Sequence, residues 1–137
     1  MAYTELNTTE LGRYGEDVAS EYLKEKGFRI VARNFRYSHK EIDIIAENDT
    51  TLIFVEVKAR TNCNNQLYHY GHRPCDAVNK QKQRLVASAA LHYLKLNPTN
   101  KGLRIDIIEV FFSPYRRFGK PLVERVHHIE GAFGVRY

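Results

Sequence analysis

The sequence predicts a three-layer α/β domain, a mixed central sheet between two helices, in the order αβββαββ. Three observations predict it. Two apolar, β-branched runs, Glu41–Ala46 and Thr51–Lys58, flank the polar segment Glu47-Asn48-Asp49-Thr50, which is the pattern of a hairpin. Helical periodicity brackets that hairpin, at Thr8–Lys26 and again at Asp76–Leu96. Two further strand-like runs, Leu103–Phe112 and Leu122–Ile129, follow the second helix.

In the first helix Leu11, Val18 and Tyr22 recur at three- and four-residue multiples, Asn7 and Glu10 offer a capping box, and Gly27 closes the element. At about 100° per residue, Glu16 falls beside Gly12, Ala19 and Leu23, at the border of the apolar stripe, so it can point toward the sheet's edge. Phe28–Phe35 reads as the first strand. In the hairpin, alternation puts Glu56 and Lys58 on one face and Ile53, Val55 and Val57 on the other, and gives Asp43 the face of Glu41 and Ile45.

Thr61–Pro74 is polar and irregular and reads as a mobile loop. Asp76 caps the second helix, with Val78, Leu85, Ala89 and Tyr93 on its core face, and Asn97-Pro98 ends it. The strand Leu103–Phe112 carries Arg104 and Asp106, read as a core-edge ion pair. Ser113–Pro121 reads as a basic, aromatic turn, and the strand Leu122–Ile129 leads to a fraying tail.

The 137 residues suit a single domain with its core at about residues 8–130. Such a chain buries about two-thirds of its unfolded surface, so it needs no disulfide or metal staple. Hydrophobic content of 43% and charged content of 27% are those of a soluble globular protein. No apolar run reaches membrane-spanning length and Met1–Glu10 is polar, so neither a membrane partner nor a secretory signal is expected and the location is cytoplasmic by default. The net charge of +5 is compatible with phosphate-bearing partners.

Glu41-Ile42-Asp43 and, thirteen residues after Asp43, Glu56-x-Lys58 carry the chemistry. A Glu and a Lys two residues apart on a strand also describe an exposed ion pair of little energetic consequence. The apolar density of Leu52-Ile53-Phe54-Val55 argues otherwise, because ionised groups beside a core need partners, a metal or water.

Taken in order, Gly15-Glu16, Glu41-Ile42-Asp43 and Phe54-Val55-Glu56-Val57-Lys58 resemble the motif set of the PD-(D/E)xK nuclease superfamily. More closely, Gly12–Lys58 resembles the small bacterial YraN-like proteins, themselves similar to archaeal Holliday-junction resolvases, and the similarity continues through Lys80–Leu94 and Arg104-Ile105-Asp106 to about Val126. The resemblance implies a restriction-endonuclease-like fold, Asp43 and Glu56 as metal ligands, Lys58 as the catalytic lysine and Glu16 as an accessory carboxylate. Two departures, Lys40 in place of the usual Gly and a longer, His-rich loop Asn62–Pro74, bear on substrate choice.

The chemistry fits independently. Phosphodiester hydrolysis needs charge neutralisation and a nucleophilic water, which a divalent ion supplies. Oxygen ligands such as Asp43 and Glu56 favour Mg²⁺ or Mn²⁺, while Lys58 can orient the water or stabilise the transition state. For Glu16 the alternative is a helix glutamate favoured by the macrodipole. Arg60, Lys80, Gln81, Lys82, Arg84, Arg116 and Arg117, with Lys120, are candidate nucleic-acid contacts, against the alternative of solvated faces and a solubilising turn.

Cys63, His69, His72 and Cys75 offer a rival zinc site, with loop thiols and histidines as the alternative. No nucleophile elbow and no phosphate-cradling Gly-rich loop is present. The expectation is therefore a metal-dependent nuclease acting on DNA, including branched DNA. A catalytically silent nucleic-acid-binding module and a protein-interaction component are the alternatives, and the oligomeric state, a homodimer included, is open.

Overall fold

The computed structural model describes residues 8–61, 80–117 and 119–133, with the backbone alone at Thr8 and at 114–117. Its elements run in the expected order: α1 (Thr8–Glu25), β1 (Arg29–Tyr37), β2 (Lys40–Glu47), β3 (Thr51–Thr61), α2 (Lys80–Leu96), β4 (Gly102–Arg117) and β5 (Lys120–Phe133). The strands form one sheet in the order β1-β2-β3-β4-β5. β3 and β4 are parallel and the other neighbouring pairs antiparallel, as expected when the crossover between β3 and β4 contains a helix.

Local chemistry fixes the element ends. Gly27, at φ 94°, donates to Lys24 O while Phe28 N–H reaches back to Leu23 O, so α1 closes in a Schellman motif. Asn48 makes the β2–β3 turn, its Oδ1 accepting from the N–H groups of Thr50 and Thr51 at 3.0 and 2.8 Å. Asn97 ends α2, its Nδ2 donating to Tyr93 O.

The two helices cover opposite faces of the sheet. Ala19 and Leu23 of α1 pack with Ile44, Ala46, Ile53 and Val55 in one core that extends to Ile108, Val110 and Phe112. Val86, Ala89 and Ala90 of α2 pack with Ile42, Ile45, Leu52, Phe54 and Ile105 in the other. Each of the large apolar side chains contributes roughly 1.5–3 kcal/mol by burial.

Four expectations need revision. The core face of α2 is centred on Val86 rather than Leu85, one position along the helix. Asp43 and Ile45 do not share a face: Ile42 and Ile44 lie in opposite cores, so alternation breaks at Asp43. Ser113–Pro121 is not a long turn, because β4 and β5 continue to the pair Arg117–Lys120. Arg104 and Asp106 form more than an edge ion pair. Asp106 is fully buried and accepts from Arg104 Nε (2.8 Å), Arg104 Nη2 (2.9 Å) and Gly131 N–H (2.9 Å), with His128 Nε2 at 2.7 Å. The loop at 62–74, with Cys63, His69 and His72, lies outside the described residues, as do Cys75 and the start of the second helix at Asp76.

Candidate metal centre

Three elements deliver the site to one end of the sheet. α1 lies close over β3 because Gly15 has no side chain: a Cβ there would stand 2.9 Å from the Cβ of Ala59. The next residue, Glu16, therefore sits at the sheet rather than above it. β2 supplies Glu41 and Asp43, and β3 supplies Glu56 and Lys58.

Backbone geometry explains the position of Asp43. The β2–β3 ladder runs from Glu47–Leu52 to Ile44–Val55 and stops there. Beyond it, Asp43 Oδ2 accepts the N–H of Val57 at 2.7 Å, so a side chain takes over where backbone pairing ends. Opposite, Asn34 of β1 adopts φ 54°, a left-handed conformation that asparagine tolerates, and its side chain lies near enough to Glu16 to favour that carboxylate's charged form.

Carboxylate oxygens of Glu16, Glu41 and Asp43 all lie within 4.8 Å of one another. Burial raises the Asp43 pKa first, the charge of Glu56 adds to it, and Glu16 and Glu41 add more against the lowering effect of the Val57 hydrogen bond; the result is about 7. Burial also raises Glu16, countered by Arg33 and Asn34. Arg33 lies 2.9 Å from Asp17 Oδ1 and 3.5 Å from Glu16 Oε1, and Arg36 lies 3.5 Å from Glu41 Oε2.

Glu56 is only 5% exposed and stands outside the trio. Two lysines meet its Oε1, Lys58 at 3.5 Å and Lys82 of α2 at 3.4 Å. Lys82, expected as a nucleic-acid contact, thus reaches into the site. Lys80, Gln81 and Arg84 are exposed on the first turns of α2. Arg60 is half-buried at the end of β3, and its Nε has no hydrogen-bond partner among the described residues. Arg116 and Arg117 pair with Pro121 and Lys120 in the β4–β5 ladder, and their side chains are outside the described set.

The sequence reading did not assign Glu41, Arg33, Asn34 and Arg36 to the site. Glu41 was within reach, since Glu-x-Asp on a strand shares a face. The other three are neighbours only through the β1–β2 pairing, in which Arg36 opposes Glu41 and Arg33 opposes Ile44.

Residues 15–110, from α1 into β4, match a family model described as an uncharacterised protein family, UPF0102. A UPF0102 protein of Clostridioides difficile (strain 630) is 37% identical over 129 residues, covering 93% of this chain and 100% of the relative. One from Chlorobium chlorochromatii (strain CaD3) is 44% identical over 104 residues, 76% of each chain. One from Prosthecochloris aestuarii (strain DSM 271 / SK 413) is 40% identical over 125 residues, covering 90% and 93%. The chain belongs to the UPF0102 family, the YraN-like proteins of the PD-(D/E)xK superfamily.

Proposed function

We propose that this protein is a metal-dependent nuclease that hydrolyses phosphodiester bonds in DNA, branched DNA included. One observation carries the reading: Asp43, fixed on Val57 N–H, is held among three other carboxylates with its pKa at about 7. Gathering carboxylates beside a core is costly unless a cation joins them. The donor set is all oxygen, which fits Mg²⁺ or Mn²⁺. Asp43 with Glu16 and Glu41 on one side, and Glu56 on the other, are the residues that would hold the ion. When bound, such an ion polarises the phosphoryl oxygen and acidifies a water. Lys58, beside Glu56, then serves as a fixed cation that orients the water or meets charge developing on the phosphate.

A second reading, a nucleic-acid-binding module without turnover, draws on the two lysines at Glu56, which neutralise that carboxylate without any metal. Incubation with Mg²⁺ or Mn²⁺ on linear duplex, single-stranded and four-way-junction DNA decides between them. Cleavage that disappears in Asp43→Asn and in Lys58→Ala supports the nuclease. Nucleic-acid binding with no cleavage of any substrate by the wild type leaves the module.

A further inference from the structure

A second feature lies on the α2 side of the same hairpin that carries Glu41. At the end of β1, Tyr37 is 38% exposed and stacks on His92 of α2, with ring centroids 3.7 Å apart and planes 11° apart. Ser88, Leu91, His92 and Lys95 recur at three- and four-residue steps along α2 and so share one side of the helix. With Tyr37 and Leu94 they line a cleft of about 530 Å³, within the size range of small-ligand pockets. Lys40, across the hairpin from Tyr37, donates to Ser88 Oγ at 2.9 Å and lies 5.0 Å over the Tyr37 ring. No carboxylate lines the cleft among the described residues.

Packing of a hairpin on a helix accounts for the stack alone. It does not account for an open cleft beside that stack with Lys95 in its lining and Lys40 held at Ser88, in a strand whose next residue is Glu41. Aromatic rings set among cations are the composition that receives unpaired nucleotides, since every base has a face to stack and every phosphate a charge to meet. A neighbouring cleft of about 770 Å³ shares Ser88 and Leu91 and adds Lys80, Arg84 and Phe133. α2 thus runs from Lys82 at Glu56 to Lys95 with basic residues along its solvent side.

We propose that the Tyr37–His92 cleft binds an unpaired nucleotide of the nucleic acid, with its base against the aromatic stack and its phosphate toward Lys40 and Lys95. The inference rests on the nuclease reading for its biological sense. It narrows the substrate to nucleic acid with a single-stranded segment beside the cut, such as a flap, fork or opened junction.

The chain contains no tryptophan, so Tyr37→Trp gives a single fluorescent reporter. The measurement is titration in EDTA with a single-stranded oligonucleotide and with a blunt duplex of equal length. Quenching by the single strand at concentrations where the duplex has no effect is the expected result. His92→Ala and the exposed substitution Lys95→Glu, each checked for folding by circular dichroism, should weaken single-strand binding by about tenfold, the loss of one stacked base or more. Tyr37→Phe keeps the ring and should bind as wild type. Equal quenching by the duplex, or single-strand affinity unchanged in folded His92→Ala and Lys95→Glu, overturns the inference. Because the titration needs no metal and no turnover, quenching without cleavage would retire the nuclease reading alone, and cleavage without quenching would retire the cleft alone.

Discussion

The carboxylate of Asp43 takes the backbone N–H of Val57, two strands' worth of chain away and one residue past Glu56. This bond sits where the β2–β3 ladder ends, and it ties the two acidic motifs into one rigid unit. Strand divergence makes room for Asp43, and the hydrogen bond fixes which way its second oxygen faces.

Asp43 gives the protein a signature in its pH dependence. Its pKa is about 7 when folded, against an ordinary 3.8, so between those values the folded state binds more protons than the unfolded one. Stability contributed by protonated Asp43 is therefore fully present below pH 3.8 and is lost as pH rises through about 7. Denaturant melts in EDTA should show this falling segment for wild type and a flatter one for Asp43→Asn, which should be the more stable of the two at pH 8. A wild-type curve that falls no more steeply than the mutant's between pH 5 and 8 would contradict the assignment.

The close approach of α1 predicts a compensating pair. Gly15→Ala places a Cβ 2.9 Å from that of Ala59, an overpacking that costs about 1–3 kcal/mol and lifts Glu16 away from Asp43. Ala59→Gly removes the obstacle. The double mutant should recover metal affinity and part of the stability, and thermal melts with metal titrations of all three variants would test it.

Elements and motifs were legible in the sequence because they are local: the Asn48 turn, the Gly27 stop and the apolar runs of β2 and β3 each follow from neighbouring residues. What was hidden depended on pairing across elements. The basic, aromatic run Ser113–Pro121 read as a turn, yet among the described residues β4 continues past its last β3 partner at the pair Thr61–Phe112, and β5 is an edge strand. A proline costs no ladder hydrogen bond on such edges. The break at Asp43 was equally hidden, since strict alternation assumes a ladder that continues. Arg33 and Arg36 join the site only through the β1–β2 register.

Asp106, opposite Val55 in the β3–β4 ladder, anchors a network separate from the acidic trio. His128, on its carboxylate at 2.7 Å, also places Nδ1 3.1 Å from the hydroxyl of Tyr22, so α1, β4 and β5 share one buried network. Burial raises the Asp106 pKa, but the hydrogen bonds from His128, Arg104 and Gly131 outweigh it and hold the carboxyl below its usual value. That stability is present above the ordinary carboxylate pKa and lost as pH falls through the depressed one. Asp106→Ala strands Arg104 and His128 and should cost about 3–5 kcal/mol, without altering the acidic trio's metal binding in protein that still folds. Urea denaturation beside metal titration separates the two effects.

Glu56 allows the sharpest separation of roles, because two lysines share it from different elements. Lys58 is 21% exposed at the site, and Lys82 is 40% exposed on α2. Removing Lys58 takes a cation from a nearly buried carboxylate and should cost about 1–3 kcal/mol, whereas the more exposed Lys82 pair contributes at most about 1 kcal/mol. In catalysis the contrast should be larger. Lys58→Ala keeps the carboxylates, so it should bind Mg²⁺ and DNA while single-turnover cleavage collapses. Lys82→Ala should weaken DNA binding and its salt dependence, as loss of one phosphate contact does, and leave the chemical step at saturating DNA nearly intact. Calorimetry for metal, fluorescence anisotropy for DNA and quenched single-turnover assays cover the three readouts. Equal loss of cleavage in both variants at saturating DNA would mean that neither lysine has a distinct place in the reaction, and that both act only by balancing the charge of Glu56.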